Sequence, residues 1–208
     1  MAPHARDNGI SRRSWLLAGL AFPLFGARAA SPMSVSYDGD NLRPIAPTLH
    51  FLTGKSLDHL KDGDSVTYVS WLQLFTMDRR LIREVRPVFT VSYDIWEEKF
   101  QVTLPGAAPR TRRDLTAAEA EAWCLNNTVI SASGLAPDLP FYLRMEIRTA
   151  PPKELSNVIA DPGISLRAVV ELFSRKPGAD DPQWGPFESG LLRLSNLPRT
   201  AGRGARNG

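Results

Sequence analysis

One cysteine, three histidines and no long apolar run set the first limits on this 208-residue chain. A lone Cys124 excludes an internal disulfide, and its place beside Trp123 in a helical pattern reads as a buried, inert thiol. Tetrahedral zinc and iron–sulfur clusters need three or four Cys or His ligands, usually in close pairs. Beyond residue 29 the only imidazoles are His50 and His59, so the expectation is a chain with no metal and no cofactor. The C-x-x-C, H-E-x-x-H, G-x-G-x-x-G and G-x-x-x-x-G-K-[ST] patterns are all missing, as is the G-x-S-x-G elbow of serine hydrolases. No apolar run approaches the roughly 18 residues that a spanning helix requires.

Basic charge on the body is scarce as well, although the formal net charge is +3. Seven of the 25 Lys and Arg fall in residues 1–29 and 199–208, against one of the 22 acids. The body between them keeps 18 bases and 21 acids. Binding to nucleic acid draws on basic charge concentrated on a folded face, so no nucleic-acid partner is expected.

What the chain does have is 17 Pro and 15 Gly, too many for a helical bundle and suited to short, punctuated elements. It also opens with a leader. Arg12-Arg13 precede an apolar stretch from Trp15 to Phe25, and Ala27-Arg28-Ala29 is an A-x-A cleavage site. The arrangement resembles a twin-arginine export signal, with Trp15 where that motif usually has Phe. Residues 1–29 are therefore expected to be a signal peptide cleaved after Ala29. Residues 30–198 would form one β-rich domain, and 199–208 a disordered basic tail. The implied location is the periplasm or cell envelope of a bacterium.

Within the body, residues 30–48 are Pro-rich with one strand at Ser34–Tyr37, and Ser56–Lys61 make a short helix stopped by Asp62-Gly63-Asp64. Ser65–Met77 carries apolar residues on both parities, the pattern of a central strand covered on each side. Val85–Ile95 and Phe100–Leu104 alternate as a hairpin, with Pro87 implying an edge or a bulge. Residues 105–114 read as a polar loop. Thr116-Ala117-Ala118-Glu119 is a capping box opening a helix to about Leu125, with Ala120, Trp123 and Cys124 toward the sheet. Short strands follow at Thr128–Ser131, Phe141–Arg148 and Glu188–Leu194, with a helix over 165–173. Strands in a run, helices interposed late and no β-α-β alternation predict a mainly β to α+β fold. Its form would be an antiparallel meander or sandwich with two or three short helices.

The run Leu57-Asp58-His59-Leu60-Lys61-Asp62-Gly63-Asp64-Ser65-Val66-Thr67-Tyr68, followed by Phe89–Asp94 and Phe100–Val102, resembles the exported bacterial domain-of-unknown-function 4390 family. The likeness spans about Leu49 to Leu104, and the C-terminal half departs from the pattern. It implies a short helix, a Gly turn and a long hairpin. That family has no established activity, so the resemblance transfers no site.

Candidate sites are few. His59 lies among Asp58, Asp62 and Asp64, a hard-metal pattern that equally makes a surface turn. Arg79, Arg80, Arg83 and Arg86, with Arg110, Arg112 and Arg113, form basic clusters for an anionic partner or simply solvated loop ends. Trp96 and Trp184 fall in predicted turns, where a large aromatic anchors a partner or caps the core. Trp96, Trp184, Arg79 and Arg80 are the expected binding surface. The function expected is a non-catalytic envelope domain that binds another protein or a surface component. Two alternatives stand beside it. One is a cofactor-independent periplasmic hydrolase with His50 or His59 as base, and the other is an accessory to a cofactor-bearing exported partner.

Overall fold

The computed structural model describes residues 31–150 and 182–199. The leader with Arg12, Arg13, Ala27 and Ala29, the 165–173 helix and the tail beyond Arg199 lie outside the described residues. Among the described residues, ten strands make one mixed, open sheet, and two α-helices pack on it. The fold is mainly β to α+β, as the pattern of the sequence predicts.

β3 (Val66–Thr76) is the spine. β9 (Phe141–Ala150) pairs antiparallel with it along ten residues, from Thr67↔Ala150 to Thr76↔Phe141. Its other edge is shared by β5 (Val88–Asp94) at one end and β4 (Leu81–Val85) at the other. Leu81–Asp94 is thus one strand path interrupted at Arg86-Pro87. Pro87 has no N–H to give the ladder, but its carbonyl accepts from Ser70 N–H at 3.0 Å. β6 (Lys99–Leu104) and β7 (Arg110–Leu115) complete the meander on β5. On the other side of β9 the order runs β10 (Gln183–Ser189), β1 (Ser31–Tyr37), β2 (Asn41–Ile45) and β8 (Ile130–Ser131).

Alternation on β3 sorts the two faces. Tyr68, Leu72 and Leu74 are buried in the main core, Leu72 and Leu74 opposite Met145 and Leu143 of β9, with Ile147 between Tyr68 and Leu72 in register. The other face carries Val69 against Val88, with Trp71 and Ala150 on them, and further along Phe75 stacked on Tyr142. The core face of β3 is buried, whereas Trp71, Gln73 and Phe75 on the other face are only half-buried, so the covering that its two apolar parities predict on each side is complete on one side only. Each fully buried Leu contributes about 1.5–3 kcal/mol through removal from water.

Two helices close the core face. α1 (Gly54–Lys61) buries Leu60 and stops where Gly63 takes φ +91°, with the Asp62, Gly63 and Asp64 amides returning to Asp58, Leu60 and His59 carbonyls. α2 (Ala117–Asn127) starts at the Thr116 capping box and buries Ala120, Glu121 and Cys124. Trp123 is half-buried, edge-on to Phe89 at 6.3 Å.

Four sequence expectations are corrected. Residues 105–114 are not all loop, because Arg110–Leu115 forms β7. Its first five residues are exposed, so neither face shows the apolar alternation of a strand. β2 went unrecognised because Pro44 interrupts it, yet Pro44 sits beyond the two residues that pair with β8, where β2 is an edge. The last strand is Gln183–Ser189 rather than Glu188–Leu194, since Gly185-Pro186 reads as a breaker but occupies a bulge opposite β9. Finally, the sheet is not wholly antiparallel. β1 and β10 run parallel, with the whole domain as their connection, so no β-α-β unit marks them.

Candidate functional site

One concavity among the described residues is an open cleft of about 470 Å³, a size suited to a small ligand. Three separate segments wall it, and each is held by its own bonds. The first is the β1–β2 turn, which contributes Tyr37, Gly39 and Asp40. Asp38 Oδ1 accepts the amides of Asp40 at 3.0 Å and Asn41 at 2.7 Å, while its Oδ2 meets Arg43 at 2.6 Å. Those two amides, seconded by the Arg43 guanidinium, hold the Asp38 carboxyl down at about 2. Gly39 supplies φ +105°, and its carbonyl accepts from Tyr37 Oη at 2.6 Å.

The second wall follows β8 through Ser131, Ala132, Ser133 and Leu135 to Pro137. Ala132 N–H donates to the Asp40 carbonyl at 2.8 Å and so ties the first two walls together. Arg83 of β4 braces the segment from outside, donating Nη1 to the Ser131 carbonyl and Nη2 to that of Ser133 at 3.2 Å. This side chain also brings the β8 end of the sheet back against β4, where no backbone ladder closes it. The third wall is the terminal 3-10 turn Leu194–Asn196 with Leu197 and Arg199. Ser195 N–H donates to the Pro137 carbonyl at 3.0 Å, and Arg199 bridges to Tyr37 in parallel.

Chemically the cleft offers one carboxylate (Asp40), one guanidinium (Arg199), serine hydroxyls and apolar surface from Leu135, Pro137, Leu194 and Leu197. That set orients a polar ligand by hydrogen bonds and one charge of either sign while its carbon skeleton lies on leucine. Among the described residues that line it there is no imidazole and no thiol.

The histidines lie elsewhere. His50 Nδ1 is 3.0 Å from Glu121 Oε2, with the ring largely exposed. Glu121 is buried and works mainly on the backbone, since its Oε1 accepts the Phe51 amide at 2.7 Å and the Leu52 amide at 2.8 Å. It pins the Leu49–Leu52 segment onto α2. His59 Nδ1 is 3.4 Å from Asp64 Oδ2, both side chains about two-thirds exposed. Neither histidine has a serine hydroxyl partner among the described residues, and these hold no group of three or more His, Cys, Asp or Glu fit for a metal ion. Cys124 is buried on α2, and burial first, then the nearby Glu121 charge, pushes its thiol well above the usual range.

The four residues expected to form a binding surface are not brought together. Trp184 is in β10, not a turn, and packs half-buried against the core at 5.9 Å from Tyr68 and 6.2 Å from Phe51. Trp96 is 88% exposed at the β5–β6 tip, its amide and that of Glu97 held by Asp94 Oδ1. Arg79 and Arg80 turn the chain from β3 into β4. The registers Val66↔Val91 and Phe75↔Leu81 put those two turns at opposite ends of β3, roughly 35 Å apart at the rise of an eleven-residue strand. Arg79 is also engaged, lying over Tyr142 at 5.1 Å and 3.5 Å from Glu188. Arg86 covers Trp71 at 4.7 Å and pairs with Glu84 at 2.8 Å.

Sequence reasoning missed Glu121 and every residue of the cleft. The one local signal was Asp38-Gly39-Asp40, a turn signature. Compared with known proteins, the chain matches no family model, no curated protein and no solved structure. No helix among the described residues is long and apolar enough to cross a membrane.

Proposed function

We propose that this chain is an exported, non-catalytic binding domain of the bacterial cell envelope that holds its ligand in the Asp40–Arg199 cleft. The observation that carries this reading is a recess built before any ligand arrives. Its three walls are fixed to one another by backbone hydrogen bonds, so little ordering is left to oppose binding. Its lining favours recognition over reaction, because neither His50 nor His59 lines it. Export rests on Arg12, Arg13, Ala27 and Ala29 in the leader. The kinship with the domain-of-unknown-function 4390 family is proposed on the layout of residues 57–68, 89–94 and 100–102.

The test is nitrogen-detected NMR of the labelled protein titrated with two fragment sets, capped dipeptides and N-acetylated amino sugars. Shifts concentrated at Gly39–Asp40, Ser131–Leu135 and Leu194–Arg199, and lost in Asp40→Ala, are expected. Fragments that bind only elsewhere, or bind Asp40→Ala unchanged, would remove the cleft from the reading.

A further inference from the structure

β7 ends one side of the sheet. Among the described strands it pairs only with β6, leaving its other backbone edge open. Arg110, Thr111, Arg112, Arg113 and Asp114 are all exposed, and only Leu115 is buried. An open edge is a template for another strand, and charged side chains decide which strand it admits.

Among the described residues, the arginines here lack the close carboxylates that several elsewhere have. Arg43, Arg79, Arg86, Arg144 and Arg148 each have a carboxylate within 4 Å, and Arg83 is spent on carbonyls. Arg110, Arg112 and Arg113 form no side-chain hydrogen bond or ion pair with any described residue. Asp114 adjoins Arg113 in the strand, and the Glu119 carboxylate already accepts both the amide and the hydroxyl of Thr116 at 2.8 Å. Its carboxyl is lowered chiefly by those bonds, with Lys99 and Arg112 adding smaller shares. Three positive charges with no ion-pair partner among the described residues thus lie within four residues of one another on this edge, whose pairing with β6 is regular from Arg110 to Arg112 and shifts register before Leu115.

We propose that β7 is a docking edge that takes an extended acidic segment of a partner polypeptide as an additional strand. Main-chain hydrogen bonds would supply the affinity, and Glu or Asp side chains set against Arg110 and Arg112, which share one face of β7, the choice of partner. The same arginines turn away a second copy of this edge, since like charges would face each other. The body's excess of acids, 21 against 18 bases, repels long polyanions, whereas a short strand meets only the basic edge. This surface is separate from the cleft, and neither reading depends on the other.

Fluorescence anisotropy of the full chain with a labelled alternating Glu-Val hexapeptide tests the proposal. Three companion probes are its alternately N-methylated form, a Lys-Val counterpart and unlabelled heparin as competitor. The acidic peptide is expected to bind, more weakly as salt shortens the screening length. N-methylation should weaken it by about tenfold or more, because the ladder is gone, and the Lys-Val peptide should not bind. The double variant Arg110→Glu with Arg112→Glu should lose about tenfold or more through like-charge repulsion, and the milder Arg112→Gln a smaller factor. Slowed amide exchange at Arg110–Arg113 on binding and no effect of Asp40→Ala complete the expected pattern. Equal binding of the N-methylated peptide, equal binding by both arginine variants, or displacement by heparin with no slowed exchange overturns it.

Discussion

Glu121 shows what one buried side chain can hold. It sits on a helix face that periodicity assigns to solvent, yet one oxygen accepts two buried amides and the other faces His50. Glu121→Ala would strand both amides, and each buried donor left without an acceptor costs about 1–3 kcal/mol. We expect equilibrium urea unfolding to show a loss of about 2–4 kcal/mol for Glu121→Ala. Glu121→Gln should lose clearly less, because its carbonyl oxygen can keep both amides. Similar losses in the two variants would mean that the charge, not the acceptor, holds the segment. Nothing in the sequence could reveal this role, since the donors lie about 70 residues away along the chain. Asp38, by contrast, was legible in kind: Asp-Gly-Asp marks a turn, and its carboxylate caps the amides two and three residues on.

At the scale of the element, strands with a regular apolar pattern declared themselves. β5, β6 and β9 alternate in sequence, β3 is apolar on both parities, and the capping box marks the start of α2, because local chemistry and burial agree there. β7, β2 and β10 did not, for reasons that differ. β7 exposes nearly everything, β2 contains Pro44, and β10 contains Gly185-Pro186. At Gly185 the need for glycine is steric as well as conformational. It takes φ +103°, and a Cβ there would lie 2.8 Å from the Met145 carbonyl oxygen and 3.1 Å from Phe187. Gly134 has φ +78° with nothing within 4 Å of a built Cβ. Gly185→Ala should therefore cost about 1–3 kcal/mol from crowding plus backbone strain. Gly134→Ala, which meets only the strain, should cost less in the same chemical denaturation. Equal costs would show that β10 can move away from β9 without penalty.

For the whole molecule, the core joins elements from both ends of the described chain, with Met33 and Val35 of β1 clustered with Phe187 of β10. Cys124 lies inside that cluster at 2% exposure, so its thiol reports on the integrity of the whole body. Ellman's reagent should leave it unmodified under native conditions and react at a rate that rises with urea in step with global unfolding. Fast labelling of the native protein, before any change in circular dichroism, would place a local opening at α2 instead.

The sequence by itself determined what adjacent residues settle among themselves: the β-rich class, the central strand, the main hairpin, the capped helix and the turn at Gly63. Those follow from periodicity, caps and turns, which act over a few residues. Tertiary contacts set the parallel meeting of β1 with β10, the Glu121 brace, the packing of Trp184 against the core and the cleft whose walls come from three distant segments. Each of these depends on contacts between residues far apart in the chain, and a one-dimensional pattern carries no record of which distant partners burial will bring together.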